Sequence, residues 1–179
     1  LGKHGFGRLL AFGYPESYYD KPLTKTLFAQ LNFDIADNGD FYVSFEADSL
    51  MYRYDYDYNQ LACFGFAGRD MDLNYLRWDS YDQPWKERLA ERMSRGFYNA
   101  VEYVDETGLL FRSYRKGGGS ATDGLQVYRD GVLVGDVDVP LGFRMAGYVA
   151  PYYYSYVVPD EEGERLYMFR FKWPSAPEE

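Results

Sequence analysis

The stretch that decides the fold runs from residue 31 to residue 66. It reads Leu31-Asn32-Phe33-Asp34-Ile35-Ala36, then Asp37-Asn38-Gly39-Asp40, then Phe41-Tyr42-Val43-Ser44-Phe45. Glu46-Ala47-Asp48-Ser49 follows, then Leu50-Met51-Tyr52-Arg53-Tyr54, then Asp55-Tyr56-Asp57-Tyr58-Asn59. After Gln60 it closes with Leu61-Ala62-Cys63-Phe64-Gly65-Phe66. The first run alternates apolar and polar residues, the period of a half-buried strand. Asn38-Gly39 supplies positive φ cheaply and marks a tight turn. Three further short runs of aromatic and apolar residues, separated by Asp-, Ser- and Asn-rich turns, complete a four-stranded meander.

The unit repeats along the chain. Arg8-Leu9-Leu10-Ala11-Phe12-Gly13-Tyr14 resembles Gln60-Leu61-Ala62-Cys63-Phe64-Gly65-Phe66, at an offset of about 50 residues, the length of a propeller blade repeat. Residues 8–13 therefore read as a fourth strand whose first three precede the chain. A second full copy spans 97–138, with strands expected at 99–104, 109–114, 125–128 and 132–137 and a hairpin turn at Asp130-Gly131. A third, partial copy spans 142–172, with strands expected at 144–150, 152–158 and 166–171. Residues 175–179 read as a frayed tail. Between the two full copies, 69–96 holds a long loop and one helix, from Pro84 to Arg95, closed by Gly96. Trp85, Leu89, Met93 and Phe97 fall four apart, which predicts a surface helix laying that stripe on the sheet.

Composition agrees with β structure. The 179 residues are 46% hydrophobic and 26% charged, the balance of a folded domain. Aromatics make up 20%, with 20 Tyr and 13 Phe, and such residues suit pleated surfaces. The formal net charge of −9 argues against a nucleic-acid partner, which needs a basic patch, and against attraction to an anionic membrane. The single cysteine, Cys63, excludes an internal disulfide and is expected as a small buried hydrophobe. No run reaches the roughly 18 apolar residues of a membrane-spanning helix. The chain opens Leu1-Gly2-Lys3-His4 without Met or a visible signal peptide, so any targeting segment is expected upstream.

Strand phase adds one more expectation. The copies begin in a fourth strand and end in a third. Closed propellers commonly complete their last blade with a strand from the other end of the chain, which removes exposed edges. The fold class expected is therefore all-β: about three four-stranded antiparallel blades of a β-propeller, six-bladed when whole, occupying residues 1–174. Ring closure then needs the missing half or a second copy of the chain.

The pattern of strand, Asp37-Asn38-Gly39, strand, turn, Leu50-x-Tyr52-x-Tyr54-Asp55, then Asn59-x-Leu61-x-x-Phe64-Gly65 resembles the six-bladed TolB-like and NHL-like propellers of bacteria. It is most similar to the uncharacterised six-bladed propeller lipoproteins of gut bacteria. The resemblance is clearest over 32–68, recognisable over 9–13 and 100–133, and faint beyond. It marks blades, not chemistry. It implies a cell-envelope location, periplasmic or anchored at the outer membrane by a lipid ahead of this chain, and no established activity. The helix is an insertion relative to a minimal blade repeat.

Motifs for catalysis are sparse. Asp55-x-Asp57-x-Asn59 starts like a calcium loop but has Gln60 at the sixth position and Phe66 at the twelfth, so a polar turn is expected. Gly117-Gly118-Gly119-Ser120 lacks the Lys of a phosphate loop, and His4 is the lone histidine, so no cofactor and no metal are expected. Asp34 and Glu102 occupy matching places in the two inner-strand candidates, and Arg144 begins the third. These three are candidates to face a central channel, where a carboxylate pair can act as acid and base or hold a cation. Arg69, Tyr75 and Trp78, in the long loop after the fourth strand, mix charge and aromatic surface as sugar or peptide sites do. Tyr152-Tyr153-Tyr154 reads as strand packing. The expectation is a non-catalytic propeller that binds a glycan, peptide or protein. The alternative is a propeller hydrolase or lyase acting on a glycan or other small substrate at the channel.

Overall fold

A computed structural model describes residues 30–72, 75, 84–160 and 162–174. The fold is all-β, built of antiparallel sheets with a single short helix among the described residues. The expected strand at 8–13, Trp78 and the tail 175–179 lie outside the described residues.

The first sheet has strands β1 (Leu31–Ile35), β2 (Phe41–Phe45), β3 (Met51–Tyr54) and β4 (Gln60–Phe64), hydrogen-bonded in that order. Register sorts its side chains onto two faces. Leu31 pairs with Phe45, Phe33 with Val43, and Val43 with Tyr52, so these share one apolar face. Asn32 pairs with Ser44, Asp34 with Tyr42, and Ser44 with Met51 on the other. Gly39, at φ +86, makes the turn from β1 to β2. Cys63 differs from expectation: it is exposed. It lies on β4, the outermost strand of its sheet, opposite Tyr52.

The helix, α1 (Trp85–Arg95), starts after Pro84 and ends at Gly96, where φ is +86. Its apolar stripe is not laid on the sheet as expected. Trp85 is 63% exposed and Leu89 38%, and of the four only Phe97, beyond the helix, is buried. The inward residue is Glu91, which accepts from Arg95 Nε at 3.1 Å. Arg92 ties the helix to the first sheet, donating to Glu46 Oε2 at 2.6 Å with its guanidinium 3.8 Å over the Phe97 ring. Charge pairing, not apolar packing, seats this helix.

The second sheet follows as β5 (Gly96–Val104), β6 (Leu109–Lys116), β7 (Asp123–Arg129) and β8 (Val132–Val139), again in chain order. Asp130 and Gly131, at φ 50 and 77, form the β7–β8 hairpin turn. The third sheet is three-stranded: β9 (Met145–Val149), β10 (Tyr152–Ser155) and β13 (Arg170–Phe171), ordered β13-β10-β9. The third strand expected at 166–171 is split. Leu166 and Tyr167 form β12 (Leu166–Tyr167), which pairs with β11 (Val158–Pro159) in a separate hairpin. Arg170 and Phe171 return to β10. The break falls where Ser155 and Phe169 bond through backbone N–H to O and N–H to Oγ, both at 2.9 Å.

The second sheet is covered on both faces, which is why β6 and β7 are buried along almost their whole length. Ala36, Tyr42 and Met51 of the first sheet pack on Val101, Leu110 and Tyr128. Phe143, Met145 and Tyr153 pack on Leu109, Phe111, Leu125 and Val127 from the other side. Strand β1 lies beside β5, and β5 beside β9. No closed barrel or ring forms among the described residues.

A buried arginine crosses the first seam. Arg112 is fully buried. It donates from Nε to Ser44 Oγ at 2.8 Å and from Nη1 to the Ser49 carbonyl at 2.7 Å. Its Nη2 donates to the carbonyls of Asp48 and Leu50. Burial pushes its pKa down, and the neighbouring Tyr98 and Tyr128 oppose that shift.

Candidate functional site

The first strands bring several of the expected residues to one seam. Strand β5 is the edge of its sheet, so one row of its backbone groups has no ladder partner. Polar residues of β1 supply partners: Asp34 Oδ2 accepts from the Tyr103 backbone N–H at 2.7 Å, and Asn32 Nδ2 donates to the Tyr98 carbonyl at 3.3 Å. Asp34 Oδ1 accepts from the N–H of Ile35 at 2.9 Å. Both oxygens of Asp34 are thus engaged with backbone. The alternation of β1 has a cause that its period alone does not reveal: the polar residues face the next strand, and Leu31, Phe33 and Ile35 are exposed at 45%, 56% and 49%.

Glu102 and Arg144 line one cleft of about 270 Å³ beside this seam, with Asn32, Asn99 and Tyr156. Asn99 sits at a bulge in β5, where pairing to β6 slips between Tyr98 and Ala100. Its Oδ1 is buried without a hydrogen-bond partner. The Glu102 carboxyl is pushed up to about 7, first by burial and then by the charge of Asp34. Gly147 on β9 faces it: a Cβ there would stand 3.6 Å from Oε1. The Arg144 guanidinium lies 5.3 Å from the Tyr156 ring centroid, and the Arg144 carbonyl accepts from the Tyr156 N–H at 2.8 Å. The cleft therefore offers a carboxyl that titrates near neutrality, a guanidinium and an aromatic face, and its wall holds the buried, unpaired Asn99 Oδ1.

The loop residues sit elsewhere. Arg69 forms an ion pair with Asp138 on β8, and its backbone N–H donates to Asp136 at 3.3 Å. Tyr75 is buried and donates its hydroxyl to the Gly96 carbonyl. Asp70 and Asp138 share Lys116, at 3.1 and 2.7 Å. Tyr98 clamps the start of this loop, accepting from Gly68 N–H at 2.9 Å and donating to the Phe66 carbonyl at 3.0 Å. Trp78 falls outside the described residues. The Asp55 turn is closed on itself: Asp55 Oδ1 accepts from the N–H groups of Asp57 and Asn59 at 2.9 and 2.8 Å. Those bonds hold its carboxyl below the usual range, the Asn59 side chain contributing most.

Asn99 and Tyr156 were not singled out by sequence. Asn99 is conspicuous only once the bulge lifts it from the ladder, and Tyr156 only once β10 ends early at Ser155. No described group of three or more histidine, cysteine, aspartate or glutamate side chains has the geometry to hold a metal ion. No described helix is long and apolar enough to cross a membrane.

No family model matches this chain, and no curated protein matches it. Among solved structures, it is similar to a crystal structure of a member of the DUF4221 family from Bacteroides vulgatus, with a TM-score of 0.49 and 10% sequence identity. The match covers 63% of this chain and 34% of that one, so the chain spans about a third of the length of its neighbour.

Proposed function

We propose that this chain is an arc of about three blades of a β-propeller, six-bladed when whole, and that it acts as a non-catalytic binding module. The blade reading draws support from first strands that lie side by side through three successive sheets. It draws further support from the apolar residues exposed on the first sheet's β1, Leu31, Phe33 and Ile35. Ring closure by further blades or by a second copy covers such a strand. Mass measurement in solution, with the reading frame that encodes the chain, tests it. A stable monomer with no further blades encoded alongside overturns it. The cell-envelope location rests on the family resemblance alone.

The binding reading is carried by one observation: Glu102 and Arg144 share a cleft walled by Asn32, Asn99 and Tyr156. That set suits a neutral polar ligand with donors and acceptors, a glycan or a peptide backbone, with Tyr156 as a stacking face. Titration against glycan and peptide arrays tests it, using Glu102→Gln and Arg144→Gln as controls. Ligand affinity unchanged in both variants removes the cleft. A hydrolase or lyase is the second reading, favoured by a carboxyl that titrates near 7. Turnover of a bound glycan that is lost in Glu102→Gln while binding persists would replace the first reading with the second.

A further inference from the structure

We infer that a second cleft, between the second and third sheets beyond the ends of β5 and β9, binds a small planar organic anion. Its walls come from Thr107 in the β5–β6 turn, Arg129 at the end of β7, Tyr148 on β9, Tyr153 on β10, and Lys172 and Trp173 just after β13. Its volume is about 360 Å³, within the range of small-molecule sites. This cleft is separate from the one at Glu102, and the inference does not depend on the reading given to that site.

Two features point to this ligand class. The first is a set of fixed aromatic walls. Tyr148 and Tyr153 lie with centroids 4.7 Å apart, and Tyr153 is only 5% exposed. Trp173 packs on Gly135 of β8, where a Cβ would overlap the indole. Glycine at that position lets the ring approach the strand and holds it there. A flat ring entering the cleft meets preset faces, and aromatic pairs of this kind add to the burial of area.

The second feature is charge. Arg129 and Lys172 line the cleft, no carboxylate does, and among the described residues neither cation has an ion-pair partner. The Lys172 ammonium lies 5.2 Å over the Tyr152 ring instead. Arg129 is thus the cation turned into the cleft, in a chain of net charge −9, whereas the Lys172 ammonium is turned to Tyr152, which alternates with Tyr153 along β10 and faces away from the cleft. Burial holds the Tyr153 phenol above its ordinary range; Thr107 and Arg129 work against that rise, and the nearby Glu106 adds to it. The phenol therefore stays protonated at neutral pH. An aromatic carboxylate satisfies the whole set: its carboxylate meets the fork of Arg129, and its ring lies among Tyr148, Tyr153 and Trp173.

The test uses the full chain and 4-hydroxybenzoate as probe, with 4-hydroxybenzamide as its uncharged counterpart, followed by calorimetry and by tryptophan fluorescence. The expected result is saturable binding of the benzoate with a Kd of about 1 mM or tighter. The benzamide and Arg129→Gln should each weaken it by about 10-fold. Absence of benzoate binding at about 10 mM overturns the inference. Equal affinity for the two probes, or full affinity in Arg129→Gln, overturns it as well. Far-UV dichroism checks that each variant folds. Should Arg129→Gln not fold, Arg129→Lys carries the test, because loss of the planar fork must still weaken the benzoate.

Discussion

The Arg112 guanidinium lies 3.2 Å from the centroid of the Tyr98 ring, stacked on it inside the seam between the first two sheets. The same guanidinium satisfies Ser44 and the three consecutive carbonyls of residues 48–50. A planar fork with five donors can serve all of these at once, and an ammonium cannot. Arg112→Ala should therefore lower the unfolding free energy by about 3–5 kcal/mol, because it empties the seam and strands buried acceptors. Arg112→Lys should recover only part of the loss. Urea denaturation measures both, and a loss under about 1 kcal/mol for the alanine variant would contradict this role.

Glu102 predicts a pH dependence of stability. Its carboxyl is pushed from an ordinary 4.5 to about 7 in the folded chain, by burial first and Asp34 second. Between those values the folded state keeps a proton that the unfolded state releases. The stability gained from neutral Glu102 is thus full below pH 4.5 and is lost as pH rises through 7. Glu102→Gln removes this dependence. The variant should match the parent near pH 5 and exceed it at pH 8, by about 1 kcal/mol once solvent screening of this partly exposed group is discounted. Thermal melts at the two pH values check it, and a variant less stable than the parent at pH 8 would refute it.

Gly124 and Tyr114 pair across β6 and β7. A Cβ at Gly124 would run into the Tyr114 ring, so space and not backbone freedom requires glycine here. The ring cannot swing away freely, since its hydroxyl donates to Asp136 at 2.6 Å. Gly124→Ala should cost about 1–3 kcal/mol through overpacking. Tyr114→Phe, which loses that hydrogen bond and the longer one to the Arg69 carbonyl at 3.4 Å, should cost about 1 kcal/mol. If Gly124→Ala melts with the parent, the contact is looser than described.

Much of the fold was legible because strand period and turn chemistry are local. Leu31 to Phe64 carries its four strands, and the Gly39 and Gly131 turns adopt the positive φ that Asn38-Gly39 and Asp130-Gly131 suggest. What was not legible depends on neighbours. Alternation in β1 shows that two faces differ, but the polar face turned inward because Asn32 and Asp34 bond to the β5 edge. The spacing of Trp85 and Leu89 marks a helix face, but ion pairs at Glu91 and Arg92 decide which face is seated. Cys63 sits in an apolar run, yet its place on an outermost strand leaves it exposed. At the candidate site, Glu102 was visible as a carboxylate at a place matching Asp34, and Arg144 as the residue that begins the third inner-strand candidate. Asn99 was not, since a bulge has no fixed signature in one sequence.

The bonds from Asn32 and Asp34 to the edge of β5 carry a wider consequence. They join two sheets along open edges without a backbone ladder, and they fix β1 against Tyr98 and Tyr103 of β5. Neighbouring sheets are thereby keyed, much as a notched tile seats the next tile. A stray strand that approached β5 would find Tyr98 and Tyr103 already occupied, so the device that aligns the array also guards it against unplanned growth.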